Sequence, residues 1–215
     1  IMNISKNILV IANGEFPEKD LIDSITLDNY SVVCCDGAAQ KAYDNNIEPD
    51  IVIGDMDSIS PELYSKLSDR IIHLEDQDTN DLSKALDWLN KKEIESVIIV
   101  GANGLREDHS LGNIFVILEN KYKYKISMIT ESGRFDLINK SHQSFESFEG
   151  QPVSIFCTDK NVRLNSKGLK YPLNDFSFSK LYDASLNISN GDSFEIRINK
   201  SNINVLVYRA NGKIK

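Results

Sequence analysis

Short apolar runs, most of them followed by glycine or an acidic residue, recur through the first part of the chain. Segments with helical spacing lie between them, as in Leu82–Leu89, whose apolar residues share one helix face. Strands alternating with helices are typical of a doubly wound, mainly parallel α/β sheet, which we predict here. Strands are predicted over Asn7–Ala12, Ser31–Cys35, Ile51–Ile53, Arg70–Leu74, Ser96–Val100 and Lys125–Thr130, and helices over Pro17–Ile25, Ala38–Asn45, Ser60–Leu67, Leu82–Leu89 and Ser110–Leu118.

The pattern changes near residue 135, where short strand-like segments follow one another without helical periodicity. This favours a second, smaller all-β domain, a sandwich or a barrel. We therefore divide the chain into an α/β domain over 1–134 and an all-β domain over 135–215. Strands are predicted over Arg134–Asn139, Gln143–Phe148, Val153–Thr158, Ser193–Asn199 and Ile203–Arg209.

Composition and charge exclude several classes of protein. The 215 residues are 41% hydrophobic and carry a net charge of -8, which argues against a broad nucleic-acid-binding surface. No apolar run approaches the ~20 residues that span a bilayer, and no basic-then-apolar leader is visible, so we expect a cytoplasmic protein without membrane contact. Cys34, Cys35 and Cys157 show no metal-binding spacing and are expected to be reduced and buried.

Acidic residues collect where predicted strands end. Asp55 and Asp57 follow the third strand directly, and an extended backbone would point both to one side with Met56 on the other. Ligands of open α/β sheets bind outside the carboxyl ends of strands. Carboxylates gathered there repel one another unless a cation joins them, and oxygen ligands favour Mg²⁺ or Mn²⁺. Acidic groups also follow other strands: Asp36; Asp76, Asp78 and Asp81; and Asp108.

Local structure is the alternative explanation for some of these acids. Asp78 or Thr79 is expected to cap the helix that begins near Asp81, and Asp108 either caps the next helix or joins the acidic cluster. The segment has more acids than capping explains. A site that binds a divalent cation and then a polyphosphate accounts for the whole set, although Walker A and protein-kinase motifs are absent from the sequence.

The segment after the fifth predicted strand, Ser96–Val100, adds basic groups. Arg106 is a forked, permanently charged donor suited to phosphate. His109 contacts either a phosphate or a base, or makes a local hydrogen bond at the helix start.

Five blocks, in this order and spacing, carry a family resemblance that runs nearly end to end. They are ANGEFP (12–17), CDGAA (35–39), PDIVIGDMDS (49–58), DQDTNDLSKAL (76–86) and GANGLREDHSLGNI (101–114), and GLKYPL (168–173) and ISN (188–190) follow in the β region. Together they resemble the thiamine pyrophosphokinase family. The resemblance implies transfer of pyrophosphate from ATP to the hydroxyethyl group of thiamine, and a homodimer with thiamine bound between the α/β domain of one subunit and the β domain of the other.

The resemblance also implies roles for individual residues. Asp55, Asp57, Asp78 and Asp81 would handle Mg²⁺ and the ATP phosphates, with Asp76 and Asp108 close by and Arg106 and His109 assisting phosphate or nucleotide placement. Asp36 is expected to join them from its own strand end. Tyr171 would stack on a thiamine ring, and Ser189 and Asn190 would bind the pyrimidine. Leu105 stands where a second glycine is expected in the family.

Two other functions remain open at this point. A metal-dependent phosphohydrolase also places a DxD motif after a strand, and a non-enzymatic module would bind a cation or nucleotide without turnover. The implied reaction is in-line attack of the thiamine hydroxyl on the β-phosphorus of ATP, with Asp78 or Asp81 accepting the proton.

Overall fold

The computed structural model describes residues 4–74, 79–138, 140–200 and 203–212. It divides the chain into two compact units. The α/β unit comprises Ile1–Val116 and Tyr122–Glu131, and the β unit comprises Ile117–Lys121 and Ser132–Lys215. No helix among the described residues is both long and apolar enough to cross a bilayer.

The α/β unit contains a parallel sheet whose strands coincide closely with the predicted apolar runs. Six strands lie in the described part of this unit; all except the edge strand Ile71–His73 are mostly buried and rich in β-branched residues, the pattern of strands covered on both faces. They are β1 (Asn7–Ile11), β2 (Ser31–Cys35), β3 (Ile51–Gly54), β4 (Ile71–His73), β5 (Ser96–Val100) and β6 (Lys125–Thr130), in the order β6-β5-β1-β2-β3-β4. All five adjacent pairs run parallel, which confirms the fold class predicted for this part.

Five helices connect these strands in the described part of the unit. They are α1 (Lys19–Asp23), α2 (Ala38–Asp44), α3 (Pro61–Lys66), α4 (Asp81–Leu89) and α5 (Glu107–Glu119), with a short 3₁₀ turn at Leu27–Asn29. Helix α5 begins three residues before the predicted start at Ser110, because its first turn is acidic rather than apolar and apolar periodicity cannot detect it. Asp108 therefore lies within the first turn of α5.

The strand order contains a topological switch point. From the adjacent strands β1 and β5, the chain builds β2, β3 and β4 on one side and β6 on the other. Open α/β sheets bind ligands at such a point, in a crevice outside the carboxyl ends of the strands.

The β unit is a sandwich of two antiparallel sheets. The strands are β7 (Gly133–Ile138), β8 (His142–Glu146), β9 (Pro152–Phe156), β10 (Leu164–Lys167), β11 (Ala184–Ile188), β12 (Ser193–Ile198) and β13 (Val205–Ala210). Within this unit the sheets have the orders β11-β9-β13-β7 and β10-β12-β8. Side chains from both sheets form one core, in which Phe145 and Phe194 stack with ring centroids 4.9 Å apart.

The sequence pattern missed two strands of this sandwich. β10 reads LNSK and has one fully buried side chain, Leu164, so no apolar run marks it. β11 is interrupted by a register shift between Ala184 and Asn187, with Leu186 exposed at a positive φ of 62°. All three cysteines are free and buried, as predicted.

Candidate active site

The loops that follow β1 and β5 lie against each other at the switch point. Gly14 N donates a hydrogen bond to Gly101 O at 2.7 Å, and Glu15 N donates to Asn103 O at 2.8 Å. A Cβ atom on Gly14 would lie 2.5 Å from the carbonyl oxygens of both Gly101 and Asn103. Glycine is therefore required at position 14 for these backbones to approach.

Three carboxylates converge beyond the ends of β2 and β3. Asp36, Asp55 and Asp57 each present an oxygen, and these oxygens all lie within 4.8 Å of one another. Gly54 allows this approach, because a Cβ atom there would lie 2.8 Å from Asp36 Cβ. Asp36 itself adopts a positive φ of 41° at the end of β2. These three residues are called the carboxylate trio below.

The two aspartates of PDIVIGDMDS share one side, as predicted, but they do so through a turn, so the extended backbone expected there is wrong. β3 ends at Gly54, and Met56 has a positive φ of 67° with its side chain buried. Asp57 N approaches Asp55 Oδ1 at 3.4 Å, and Ser58 Oγ donates to Asp57 Oδ1 at 2.7 Å. The reversal at Met56 brings both carboxylates to the same side.

Asp36 is the buried member of the trio, with 3% of its surface exposed. Its Oδ1 atom accepts no hydrogen bond within the described part of the chain. Burial raises the pKa of Asp36, and the negative charges of Asp57 and Asp81 act in the same direction. A buried carboxylate oxygen without a donor is costly, and a bound cation would remove that cost. The trio thus fits a hard divalent cation.

A cleft of about 550 Å³ opens beside the trio. The loops after β1 and β5 line it together with the first turns of α4 and α5, so it occupies the crevice expected at the switch point. Its charged and titratable lining groups include Asp55, Asp81, Lys84, Arg106, Asp108 and His109. The structure thus brings Asp55, Asp81, Arg106, Asp108 and His109, all singled out from the sequence, to one cleft.

An amide network holds the start of α4 in this cleft. Asn80 caps the helix by accepting a hydrogen bond from Ser83 N at 2.8 Å, so the cap expected at Thr79 is wrong. Asn80 Nδ2 also donates to Asn113 Oδ1 at 3.1 Å, and Asn113 Nδ2 donates to Ala102 O at 2.8 Å. This network joins α4 to α5 and to the loop after β5. Asp76 and Asp78, the other expected site residues of this segment, lie outside the described residues.

Lys84 is a lining residue of the cleft that sequence reasoning missed. Its Nζ atom lies 3.0 Å from Asp81 Oδ1, and only 8% of the residue is exposed. The available signal was its position three residues after Asp81, which places both on one face of α4.

Arg106 and Asp108 form a two-point ion pair at the mouth of the cleft. Arg106 Nε and Nη2 lie 3.0 and 2.6 Å from the two carboxylate oxygens of Asp108. These hydrogen bonds lower the pKa of Asp108. Both side chains are exposed, as is His109. Asp108 is therefore neutralised by Arg106 and stands apart from the carboxylate trio.

In the β unit, the residues expected to bind a substrate ring lie in two neighbouring segments. Tyr171 is 57% exposed, and its backbone is held at both ends by the buried Asn187. Tyr171 N donates to Asn187 Oδ1 at 3.1 Å, while Asn187 Nδ2 donates to Tyr171 O at 2.7 Å. The backbone of Tyr171 is thus fixed, while its aromatic ring is exposed and available to stack on a ligand.

Ser189 and Asn190 differ in accessibility. Ser189 is 1% exposed, and its hydroxyl lies 2.7 Å from Ser147 Oγ and 3.0 Å from Gly191 O. Asn190 is exposed, and its backbone N–H donates to Gly168 O at 2.9 Å. The Ser189 hydroxyl is engaged within the loop, whereas the Asn190 side chain is accessible. Sequence reasoning missed Ser147 and Asn187, which hold these segments in place.

A parallel α/β unit with clustered carboxylates beside a switch-point cleft, followed in the chain by a β-sandwich, fits an enzyme of the phosphoryl-transfer class. Two family models match the chain. The catalytic domain of thiamin pyrophosphokinase matches residues 23–130, and the substrate-binding domain of thiamin pyrophosphokinase matches residues 133–208. The chain belongs to the thiamin pyrophosphokinase family.

Individual relatives agree with this membership. Thiamine pyrophosphokinase 1 of Oryza sativa subsp. japonica is 29% identical, over 74% of this chain and 70% of the relative. Thiamine pyrophosphokinase of Bacillus subtilis is 28% identical, over 79% of this chain and 83% of the relative. Neither a phosphohydrolase nor a non-enzymatic nucleotide module is supported by these comparisons.

Solved structures show the same fold. The crystal structure of thiamine pyrophosphokinase from Bacillus subtilis covers 95% of this chain and 98% of its own, with a TM-score of 0.79 and 22% identity. Yeast thiamin pyrophosphokinase covers 97% of this chain and 87% of its own, with a TM-score of 0.72 and 18% identity.

Proposed function

We propose that this chain transfers the pyrophosphoryl group of ATP to the hydroxyethyl group of thiamine, giving AMP and thiamine diphosphate. Family membership supports ATP and thiamine as the substrates. The structural observation that carries the proposal is the carboxylate trio of Asp36, Asp55 and Asp57 beside the switch-point cleft. Such a trio is suited to a cation-bound polyphosphate, whose transfer depends on positioning and charge neutralisation.

Asp36, Asp55 and Asp57 would hold Mg²⁺, or Mn²⁺ in its place, and the sequence adds Asp78 and Asp81 as further ligands. The bound cation would neutralise negative charge on the phosphates as they react. Asp36 supports this assignment because its buried Oδ1 atom has no donor in the described part of the chain. Asp55 belongs to the trio and also lines the cleft, so it would mark the point where cation and phosphates meet.

Other groups of the cleft would orient the nucleotide. Arg106 and His109 stand at its mouth and would contact phosphate or base, and Asp108 would hold Arg106 in place. The family resemblance adds Asp76 as a further residue near the phosphates. The attacking thiamine hydroxyl must lose its proton, and Asp78 or Asp81 would accept it. Asp81 is suited to this role because its carboxylate is partly exposed in the cleft.

The β domain, residues 135–215, would bind thiamine, and the α/β domain, residues 1–134, would bind ATP. Tyr171 would stack on a thiamine ring, Asn190 would hydrogen-bond the pyrimidine, and Ser189 would complete this contact from within its loop. We further propose a homodimer in which thiamine lies between the α/β domain of one subunit and the β domain of the other. The cytoplasmic location expected from the sequence stays a prediction.

An assay of AMP formation from ATP with Mg²⁺, with and without thiamine, tests this function. The wild-type chain should form AMP only with thiamine. Asp57→Asn should lower this activity by at least roughly tenfold, because it removes one charge of the trio. Asp28→Asn, at an exposed residue of the 3₁₀ turn, is the matched control and should retain activity. Phosphate release without thiamine would indicate a hydrolase, and ATP binding without AMP at any thiamine concentration would indicate a non-enzymatic module.

A further inference from the structure

Lys84 places a buried positive charge in the wall of an acidic cleft. It lies on the first turns of α4, it is 8% exposed, and its ammonium group meets Asp81 Oδ1 at 3.0 Å. An ion pair of this kind on a solvent-exposed helix face would be a common surface feature. Here the lysine is enclosed while one third of the Asp81 side chain remains exposed, so the cation is the more deeply held partner.

The hydrogen bonds of this ammonium group are incomplete. Lysine has three N–H donors, and Asp81 is the partner of Lys84 within the described residues. Burying a cation is costly unless acceptors surround it. Because Lys84 lines the cleft, an acceptor that enters the cleft can use the remaining donors.

The other fixed cation among the lining residues of the cleft is already paired. Arg106 uses two nitrogens on the two oxygens of Asp108, and both side chains are about 65% exposed at the mouth. Lys84 lies deeper and is paired through a single oxygen of Asp81. An anion that reaches the floor of the cleft therefore meets Lys84 rather than Arg106.

We propose that Lys84 is a phosphate-binding residue of this cleft. Its ammonium group donates one hydrogen bond to Asp81 and another to a non-bridging oxygen of a bound polyphosphate. It thereby orients the Asp81 carboxylate and the phosphate chain relative to each other. This inference rests on the proposed function to the extent that the polyphosphate is that of ATP, and it adds a contact that the carboxylates cannot supply.

The test measures binding of ATP and of inorganic tripolyphosphate, both with Mg²⁺, by titration calorimetry on the full chain. Lys84→Met keeps the length of the side chain and removes its charge and donors. It should weaken both ligands by roughly ten- to a hundredfold, the range expected for one charged hydrogen bond. Lys84→Arg keeps the charge and should retain more affinity than Lys84→Met. Lys91→Met is the matched control, because Lys91 is exposed just beyond the other end of α4.

A merely structural role for Lys84 predicts a different pattern. Lys84→Met would then lower the thermal midpoint and disturb the KM for thiamine and the KM for ATP equally, and Lys84→Arg would give no rescue. That pattern, or unchanged binding of both polyphosphates, would overturn the inference while the wild-type activity stands. If Lys84→Met does not fold, Lys84→Gln takes its place, and unchanged binding of both polyphosphates by Lys84→Gln would overturn the inference. Failure of the wild-type chain to bind ATP would contradict the proposed function itself.

Discussion

Replacing Asn80 by alanine removes two hydrogen bonds that position the acidic start of α4. Asn80 Oδ1 accepts from Ser83 N, and Asn80 Nδ2 donates to Asn113 Oδ1. Loss of the cap costs about 1 kcal/mol, and loss of the amide contact costs about 1 kcal/mol more. Together they lower the free energy of unfolding by about 2 kcal/mol, which corresponds to a drop of about 4–8 °C in the thermal midpoint for a chain of this size.

The same substitution should lower turnover. Asp81 follows Asn80 directly, and Lys84 lies one turn further on, so fraying of the first turn displaces both side chains that line the cleft. Calorimetry and the thiamine-dependent AMP assay measure the two effects on the same preparation.

Asn80→Ser is the matched control for this prediction. Serine keeps a capping oxygen and lacks the amide donor to Asn113, so it should retain about 1 kcal/mol of the stability that alanine loses. Unfolding of Asn80→Ala at the wild-type temperature, or equal losses for serine and alanine, would refute the assignment of Asn80 as the cap.

Three further predictions concern other parts of the molecule. Gly54→Ala places a Cβ atom 2.8 Å from Asp36 Cβ and should lower turnover about a hundredfold, because it displaces the carboxylates. The far-ultraviolet circular dichroism should stay unchanged, and full activity would contradict the close approach. Tyr171→Ala should raise the KM for thiamine roughly three- to tenfold and leave the KM for ATP unchanged, whereas Tyr171→Phe should behave like wild type; equal effects on both substrates would argue against stacking. Burial raises the pKa of Cys34, and all three thiols are buried, so a thiol reagent at neutral or mildly alkaline pH should react only after denaturation; rapid reaction of the native protein would disagree with this burial.

The α/β part of the fold was predictable because its strands are covered on both faces. Such strands read as continuous apolar runs, and the predicted bounds of Ser31–Cys35, Ser96–Val100 and Lys125–Thr130 coincide with those of β2, β5 and β6. The β-sandwich was predictable only in outline. β10 and β11 carry polar residues and a register shift, and their pairing depends on partners distant in sequence, so local pattern does not reveal them.

The candidate site, like the fold, was predictable from the sequence only in part. Asp36, Asp55 and Asp57 were accessible to sequence reasoning, because each follows an apolar strand and parallel strand ends meet at one edge. The turn at Met56 was not, since alternation assumes an extended backbone. The contact between Asn80 and Asn113 joins α4 to α5 through two residues 33 positions apart in the sequence, and it exists only in the folded chain. Lysine is a common residue on helix surfaces, so the sequence does not single out Lys84; only its burial in the folded chain does.

The most direct measurement follows the β-phosphorus of ATP through the reaction. ATP labelled at the β-phosphorus is incubated with thiamine, Mg²⁺ and the chain, and the products are separated. The proposed transfer predicts that the label passes to thiamine diphosphate, with one AMP formed for each thiamine diphosphate and no accumulation of ADP. Label recovered in ADP or in inorganic phosphate, with thiamine unchanged, would contradict it.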